Sequence, residues 1–196
     1  MSIVAAQQPV PVLADLGTRS RARDAALVLG GTALIAGFSQ LIVPLPFTPV
    51  PLSLSTFAVL LTGLALGPVR ALLSTVLYLA LGTAGLPIFA EQGSGWAFAS
   101  YGYVIGYIAA AVLAGAAARR GADRSPLATI GAAVAATLAV YALGVPWLMA
   151  SLQIGLPQAL ALGVVPFLIG DAIKAAAAAL LLPGTWRLIE RDQGDD

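Results

Sequence analysis

The 196-residue chain contains no cysteine and no histidine. Disulfides, Cys- or His-ligated metals and Cys or His nucleophile–base pairs are therefore excluded. A Ser–His intramembrane protease and an acyltransferase with a catalytic His go with them. Ser94 stands in Gly93-Ser94-Gly95 and, lacking a His partner, reads as flexible loop. Charge is also scarce. Asp, Glu, Lys and Arg make up 10% of the chain and the net charge is +1, whereas a soluble domain carries about 25% charged residues. So small a net charge gives nucleic acid no purchase. No Gly-x-x-x-x-Gly-Lys-Ser/Thr occurs, so the chain has no phosphate-binding loop of its own. We expect no metal, no cofactor and no enzymatic activity.

What remains is apolar. The hydrophobic share is 59% and the mean hydropathy +0.92. The apolar runs are continuous, without the alternation of a membrane barrel. At about 20 residues per span, the length predicts an all-α integral membrane protein of six transmembrane helices with no room for a soluble domain. Span one covers Ala25–Val43. Four prolines between Pro44 and Pro51 end it, since proline cannot continue a helix. Span two runs from about Leu52 to Leu66, where Gly67-Pro68 breaks it. Span three covers Ala71–Ala84, span four Ser100–Ala118 and span five Pro126–Met149. Pro157–Gly163 suits a short surface helix. Span six starts near Val165, with Pro166 in its first turn, and ends near Pro183-Gly184. Residues 1–23 read as a loosely attached arm, not a secretory signal. Residues 24–184 form the membrane domain and 185–196 a tail.

The arginines are one-sided. With the N-terminus inside, the inner segments hold Arg19, Arg21, Arg23, Arg70, Arg119, Arg120, Arg124, Arg187 and Arg191, and the outer loops hold no Lys or Arg. The positive-inside rule then places both termini in the cytoplasm. The one remaining cation, Lys174, lies within span six beside Asp171. A charge near the bilayer centre costs about 2.5–3.5 kcal/mol on insertion scales. Residues three apart share a helix face, so the two point the same way. They form either an ion pair that locks helix packing or a ligand site with one acid and one base. Lys174 suits a carboxylate, and Asp171 suits N–H donors. With one cation only, a polyphosphate is not the ligand.

Three outer segments surround this pair: the proline-rich loop, a long glycine–aromatic loop at Gly85–Ala99, and the stretch before span six. A connection as long as Gly85–Ala99 is often a lid. The aromatics Trp96, Phe98, Tyr101, Tyr103 and Tyr107 either line a pocket or form an interfacial belt. On span one, Ala22, Ala26, Gly30, Ala33 and Gly37 recur one turn apart. Such small residues let another helix approach closely, within the chain or from a partner.

Three motifs occur in order. The first is Pro46-Phe47-Thr48-Pro49-Val50-Pro51-Leu52, running through Ser55 to Gly63. The second is Gly82-Thr83-Ala84-Gly85-Leu86-Pro87-Ile88-Phe89-Ala90. The third is Val165-Pro166-Phe167-Leu168-Ile169-Gly170-Asp171-Ala172-Ile173-Lys174-Ala175. Together they resemble the signatures of BioY proteins, the biotin-binding S components of energy-coupling factor transporters, over about Asp24 to Leu182. The resemblance implies biotin as ligand and a multi-pass protein of a prokaryotic cell membrane. It also implies docking on a transmembrane T subunit with two ATPase subunits, through Ala22, Ala26, Gly30, Ala33 and Gly37 of span one. The expected substrate-binding residues are Asp171 and Lys174 of the third motif, with Phe47, Thr48 and Ser55 of the first. Tyr78, Phe89, Trp96, Tyr101 and Tyr103 complete the expected set. Two departures stand out: Ser55 replaces a Gln of many relatives, and Glu91-Gln92-Gly93-Ser94-Gly95 lacks their basic loop residue. The alternatives are an S component for another small carboxylated vitamin and a proton-coupled carrier acting alone.

Overall fold

The computed structural model describes residues 10–18 and 20–192. It is a bundle of six long helices and one short one. Helix α1 (Arg21–Ser39) starts where the Ser20 hydroxyl accepts the Arg23 N–H at 3.1 Å, a side-chain N-cap. It begins four residues before the expected span because the arginines take the first, solvated turn. It also stops earlier: Ile42–Val43 (β1) pairs antiparallel with Leu52–Ser53 (β2), closing a two-stranded hairpin around the prolines. Helix α2 (Ser55–Leu66) and helix α3 (Pro68–Thr83) meet at Gly67. Gly67 has φ +79°, a conformation that favours glycine, and Pro68 opens α3 at its first turn.

Helix α4 (Tyr101–Ala118) is the centre of the bundle, with 11 of its 18 residues buried. Small residues bring its neighbours in. A Cβ on Gly106 would sit 2.8 Å from the Val140 backbone, and one on Gly115 would sit 2.5 Å from Pro68 N. Van der Waals packing of close backbones takes the place of the hydrophobic drive that lipid does not supply. Helix α5 (Pro126–Leu152) runs through Pro146 without ending. Helix α6 (Leu156–Gly163) is the short helix expected before span six.

Val165–Phe167 forms a single 3₁₀ turn, and helix α7 (Leu168–Asp192) follows. The expected stop at Pro183-Gly184 does not occur, and α7 continues to Asp192. Membrane helices tolerate an internal proline where neighbouring groups satisfy the freed carbonyl. Among the described residues, three helical stretches are long and apolar enough alone to cross a membrane: Tyr101–Ala118, Pro126–Leu152 and Leu156–Asp192. Helices α2 and α3 are apolar but shorter, and α1 carries Arg21, Arg23 and Asp24 in its first turn.

The arm is not loose where it is described. Val12 is fully buried, and the Val10 N–H donates to the Arg119 carbonyl at 3.0 Å. Asp15 receives Arg70 at 3.0 Å and Arg119 at 2.5 Å, and Arg70 also reaches Asp24 at 2.8 Å. Burial raises the Asp15 pKa, but the hydrogen bonds from Arg70 and Arg119 outweigh it and hold the carboxyl below its usual range. Arg70 of α3 and Arg119 at the C-cap of α4 thus gather with the arm at one end of the bundle. Arg19, residues 1–9 and the acidic residues after Asp192 lie outside the described residues.

Candidate functional site

At the opposite end the helices splay around a cavity of about 320 Å³. This lies within the range of small-molecule sites. Its floor is small and apolar, from Ala110 of α4 and Ala133 and Ala136 of α5. Its sides carry Tyr107, Tyr103, Tyr78 and Phe89. The hairpin loop from Pro49 to Ser53 and the lid segment from Ala90 to Ser94 form its mouth.

Asp171 and Lys174 face this cavity. Because the 3₁₀ turn delays α7, Asp171 falls in its first turn and Lys174 one turn deeper. The Lys174 ammonium is 3.5 Å from Asp171 Oδ1 and donates to the Thr56 hydroxyl at 2.8 Å. Asp171 Oδ2 accepts the hydroxyl of Tyr141 from α5. Side-chain exposure is 11% for Lys174 and 15% for Asp171. The pair therefore ties α7 to α2 and α5 and borders the cavity as well. Lys174, with three N–H donors and two of them engaged, keeps one for a ligand.

Six of the ten expected binding residues line the cavity: Asp171, Lys174, Ser55, Tyr78, Phe89 and Tyr103. Ser55 is joined to Tyr107 by a 2.5 Å hydroxyl–hydroxyl hydrogen bond. Tyr78 bonds Ser39 at 2.7 Å and presents its ring edge-on to Phe89, 5.2 Å between centroids. The Tyr103 hydroxyl donates to the Gly163 carbonyl at 3.0 Å, fastening α4 to α6.

The other four do not reach the wall. Phe47 is 61% exposed at the hairpin tip and Trp96 is 62% exposed on the lid, where neither is confined by neighbours. Thr48 is turned away, donating to the Leu162 carbonyl at 2.7 Å. Tyr101 stands behind Phe89, its hydroxyl bonded to Thr83 at 2.8 Å. Sequence reasoning missed Tyr141, Thr56 and Thr137 as wall residues. A lone tyrosine inside the apolar run of span five was the available signal for Tyr141. Thr56 and Thr137 carry no comparable signal.

On α1 the structure separates two faces. Gly31, Thr32, Ile35 and Ser39 are buried against the bundle. Ala22, Ala26, Gly30, Ala33 and Gly37 are all exposed, and a Cβ on Gly30 or Gly37 would have no atom within 4 Å.

Comparison with known proteins follows the same outline. The family model described as "BioY family" matches residues 10–191. A "Probable biotin transporter BioY" of Pyrococcus horikoshii is 35% identical over 164 residues, 82% of this chain and 94% of that protein. A "Biotin transporter BioY" of Rhizobium etli is 30% identical over 170 residues, 81% and 90% of the two chains. Among solved structures, the S-component for biotin from an ECF-type ABC transporter has the same fold. Its TM-score is 0.73 at 23% identity, covering 87% of this chain and 95% of the other.

Proposed function

This chain belongs to the BioY family, and from that membership we propose that it binds biotin within the membrane for uptake. It is a transport subunit, not an enzyme. The single observation that carries the reading is the cavity itself. It is apolar and aromatic over most of its wall, with one acid and one base converging on it. Biotin has the complementary form: a fused bicyclic body, a ureido group with two N–H donors and a carbonyl, and an aliphatic acid.

Charge balance suggests which end goes where. The cavity is bordered by one cation, Lys174, and two carboxylates, Asp171 and Glu91. Lys174 is already neutralised by Asp171. A ligand carboxylate brought to this pair would add an unbalanced charge to a dry site. The neutral ureido group needs none: Asp171 accepts an N–H, and the free donor of Lys174 meets the carbonyl. The acid then lies toward the mouth, in reach of water. This reverses the pairing of Lys174 with the carboxylate read from the sequence alone.

Biotin titration of the purified protein tests the reading. Truncating one member of a buried charge pair costs about 2–5 kcal/mol, so Lys174→Ala should weaken biotin roughly 30-fold or more, at 1.4 kcal/mol per tenfold. Biotin amide, which lacks the acid, should bind the parent within a few-fold of biotin and lose as much in Lys174→Ala. If Lys174→Ala spares the amide selectively, the acid sits on Lys174. If the parent does not bind biotin, the function is wrong.

The cell membrane as location and the partners follow from the same reading. A transmembrane T subunit seats on the exposed small-residue face of α1, and two ATPase subunits supply energy. The empty space above Gly30 and Gly37 supports that face as the docking surface. The one-sided arginines support an orientation with both termini in the cytoplasm and the cavity mouth outside.

A further inference from the structure

We propose that Gln40, at the C-terminal cap of α1, is the latch that holds the lid segment 88–92 closed over the cavity. One side chain makes three contacts with that segment. Its Nε2 donates to the Ile88 carbonyl at 3.1 Å and to the Phe89 carbonyl at 2.9 Å. Its Oε1 accepts the Gln92 N–H at 3.2 Å. No other α1 side chain is bonded to this loop among the described residues.

The lid needs such a hold. Glu91 and Gln92 have φ +59° and +56°, two successive non-glycine residues in the left-handed region. That conformation persists only where surroundings impose it. The Phe89 N–H donates to the Gly93 carbonyl at 3.0 Å, and the Gly93 N–H to the Ala90 carbonyl at 3.0 Å. These bonds shape the turn but do not tie it to the bundle. The Gln40 contacts do. Phe89, which they position, is 2% exposed and lies against Gly82, where any Cβ would overlap its ring. Ala90, Glu91, Gly93 and Ser94 border the cavity mouth. With the latch broken, the turn at Glu91 and Gln92 relaxes toward ordinary backbone and the mouth opens.

Gln40 also continues a row. Ala33, Gly37 and Gln40 are spaced so as to share one face of α1, the face proposed above for the T subunit. A partner seated there reaches the latch.

The chain has no cysteine, so a single thiol from Ala136→Cys on the cavity wall reports access. Its labelling by a membrane-impermeant maleimide, without ligand, should accelerate about tenfold when Gln40→Leu is added. Gln40 is exposed, so the substitution leaves packing alone. A second thiol from Thr62→Cys, buried away from the cavity, should not accelerate. Gln40→Glu keeps the length but sets a carboxylate against the Ile88 and Phe89 carbonyls, so it should accelerate Ala136→Cys labelling as well. Unchanged labelling in Gln40→Leu, equal acceleration at both thiols, or parent behaviour in Gln40→Glu would each overturn the latch. Biotin dissociation from Gln40→Leu should also be about tenfold faster, equivalent to about 1.4 kcal/mol. That readout rests on the biotin reading. Failure of the parent to bind biotin would refute biotin as the ligand, while the labelling rates would still decide for or against the latch.

Discussion

Asp171 has both oxygens engaged before any ligand arrives, one by Lys174 and one by Tyr141. Hydrogen bonds to charged groups contribute about 1.5–3 kcal/mol. Tyr141→Phe should therefore lower biotin affinity by roughly tenfold or more, at 1.4 kcal/mol per tenfold, as read by calorimetry. An unchanged affinity would show that Tyr141 only packs. Asp123 presents a different problem. It is fully buried; Oδ2 accepts the Trp186 indole N–H at 2.6 Å, while Oδ1 has no hydrogen-bond partner among the described residues. Burial raises its pKa, against the opposing pull of Trp186 and Arg124. A raised acid favours the folded state below its unfolded pKa, near 3.9, and loses that advantage as pH climbs through the folded value. At neutral pH Asp123→Asn, which keeps an acceptor for Trp186 without the charge, should leave the Tm equal or higher. Trp186→Phe strands the carboxylate and should lower it. In the sequence Asp123 stands among Arg119, Arg120 and Arg124; only the return of α7, whose Trp186 bonds it, buries it.

Helix α1 shows how one element serves two surfaces. Its buried face admits no side chain at Gly31, where a Cβ would meet Ser74 Oγ at 2.6 Å. Its other face has no neighbour at Gly30 or Gly37 among the described residues. Gly30→Leu should therefore leave biotin binding and Tm unchanged while weakening assembly with the proposed T subunit. Gly31→Leu should destabilise the fold itself. Co-purification and thermal unfolding separate the two, and loss of biotin binding in Gly30→Leu would mean this face packs within the protein. The arm around Asp15 is a second element whose role follows from charge. Since its carboxyl is held below the usual range by Arg70 and Arg119, its contribution is complete above about pH 3.9. It is lost as pH falls through the folded value. Hydrogen exchange at Val10 and Val12 should rise below about pH 4. In Asp15→Asn it should already be raised at neutral pH, and unchanged exchange there would mean the arm is held by its apolar contacts alone.

At the scale of the molecule, the arginines and the cavity occupy opposite ends. Arg23, Arg70, Arg119 and Arg124 all contact the arm, and the lid and hairpin close the other end. With the termini inside, a thiol from Ser94→Cys should label from outside intact cells and one from Arg120→Cys only after permeabilisation. The reverse pattern would invert the topology. Both positions are exposed, whereas a thiol at Asp123 would be shielded whatever the orientation.

What the sequence determined by itself was whatever rests on composition and local order. Scarce charge and continuous apolar runs required membrane helices, and proline and glycine marked where most of them begin or end. A lone Asp and Lys in an apolar run, which border the cavity, pointed to the candidate site, because buried charge is costly enough to be informative wherever it occurs. The small residues of α1 were visible as a row by their spacing. Tertiary structure decided what depends on which segments meet. It brought Tyr141 and Thr56 to the pair from helices far apart in sequence. It excluded Phe47, Thr48 and Trp96 from the cavity wall, since belonging to a loop does not fix where a side chain points, and it set Tyr101 of α4 behind Phe89. It carried α7 through Pro183, an internal proline of the kind membrane helices tolerate. And it set Gln40 against a lid some fifty residues away, a contact with no local signal, since nothing in a helix's own sequence names the loop that will cross its end.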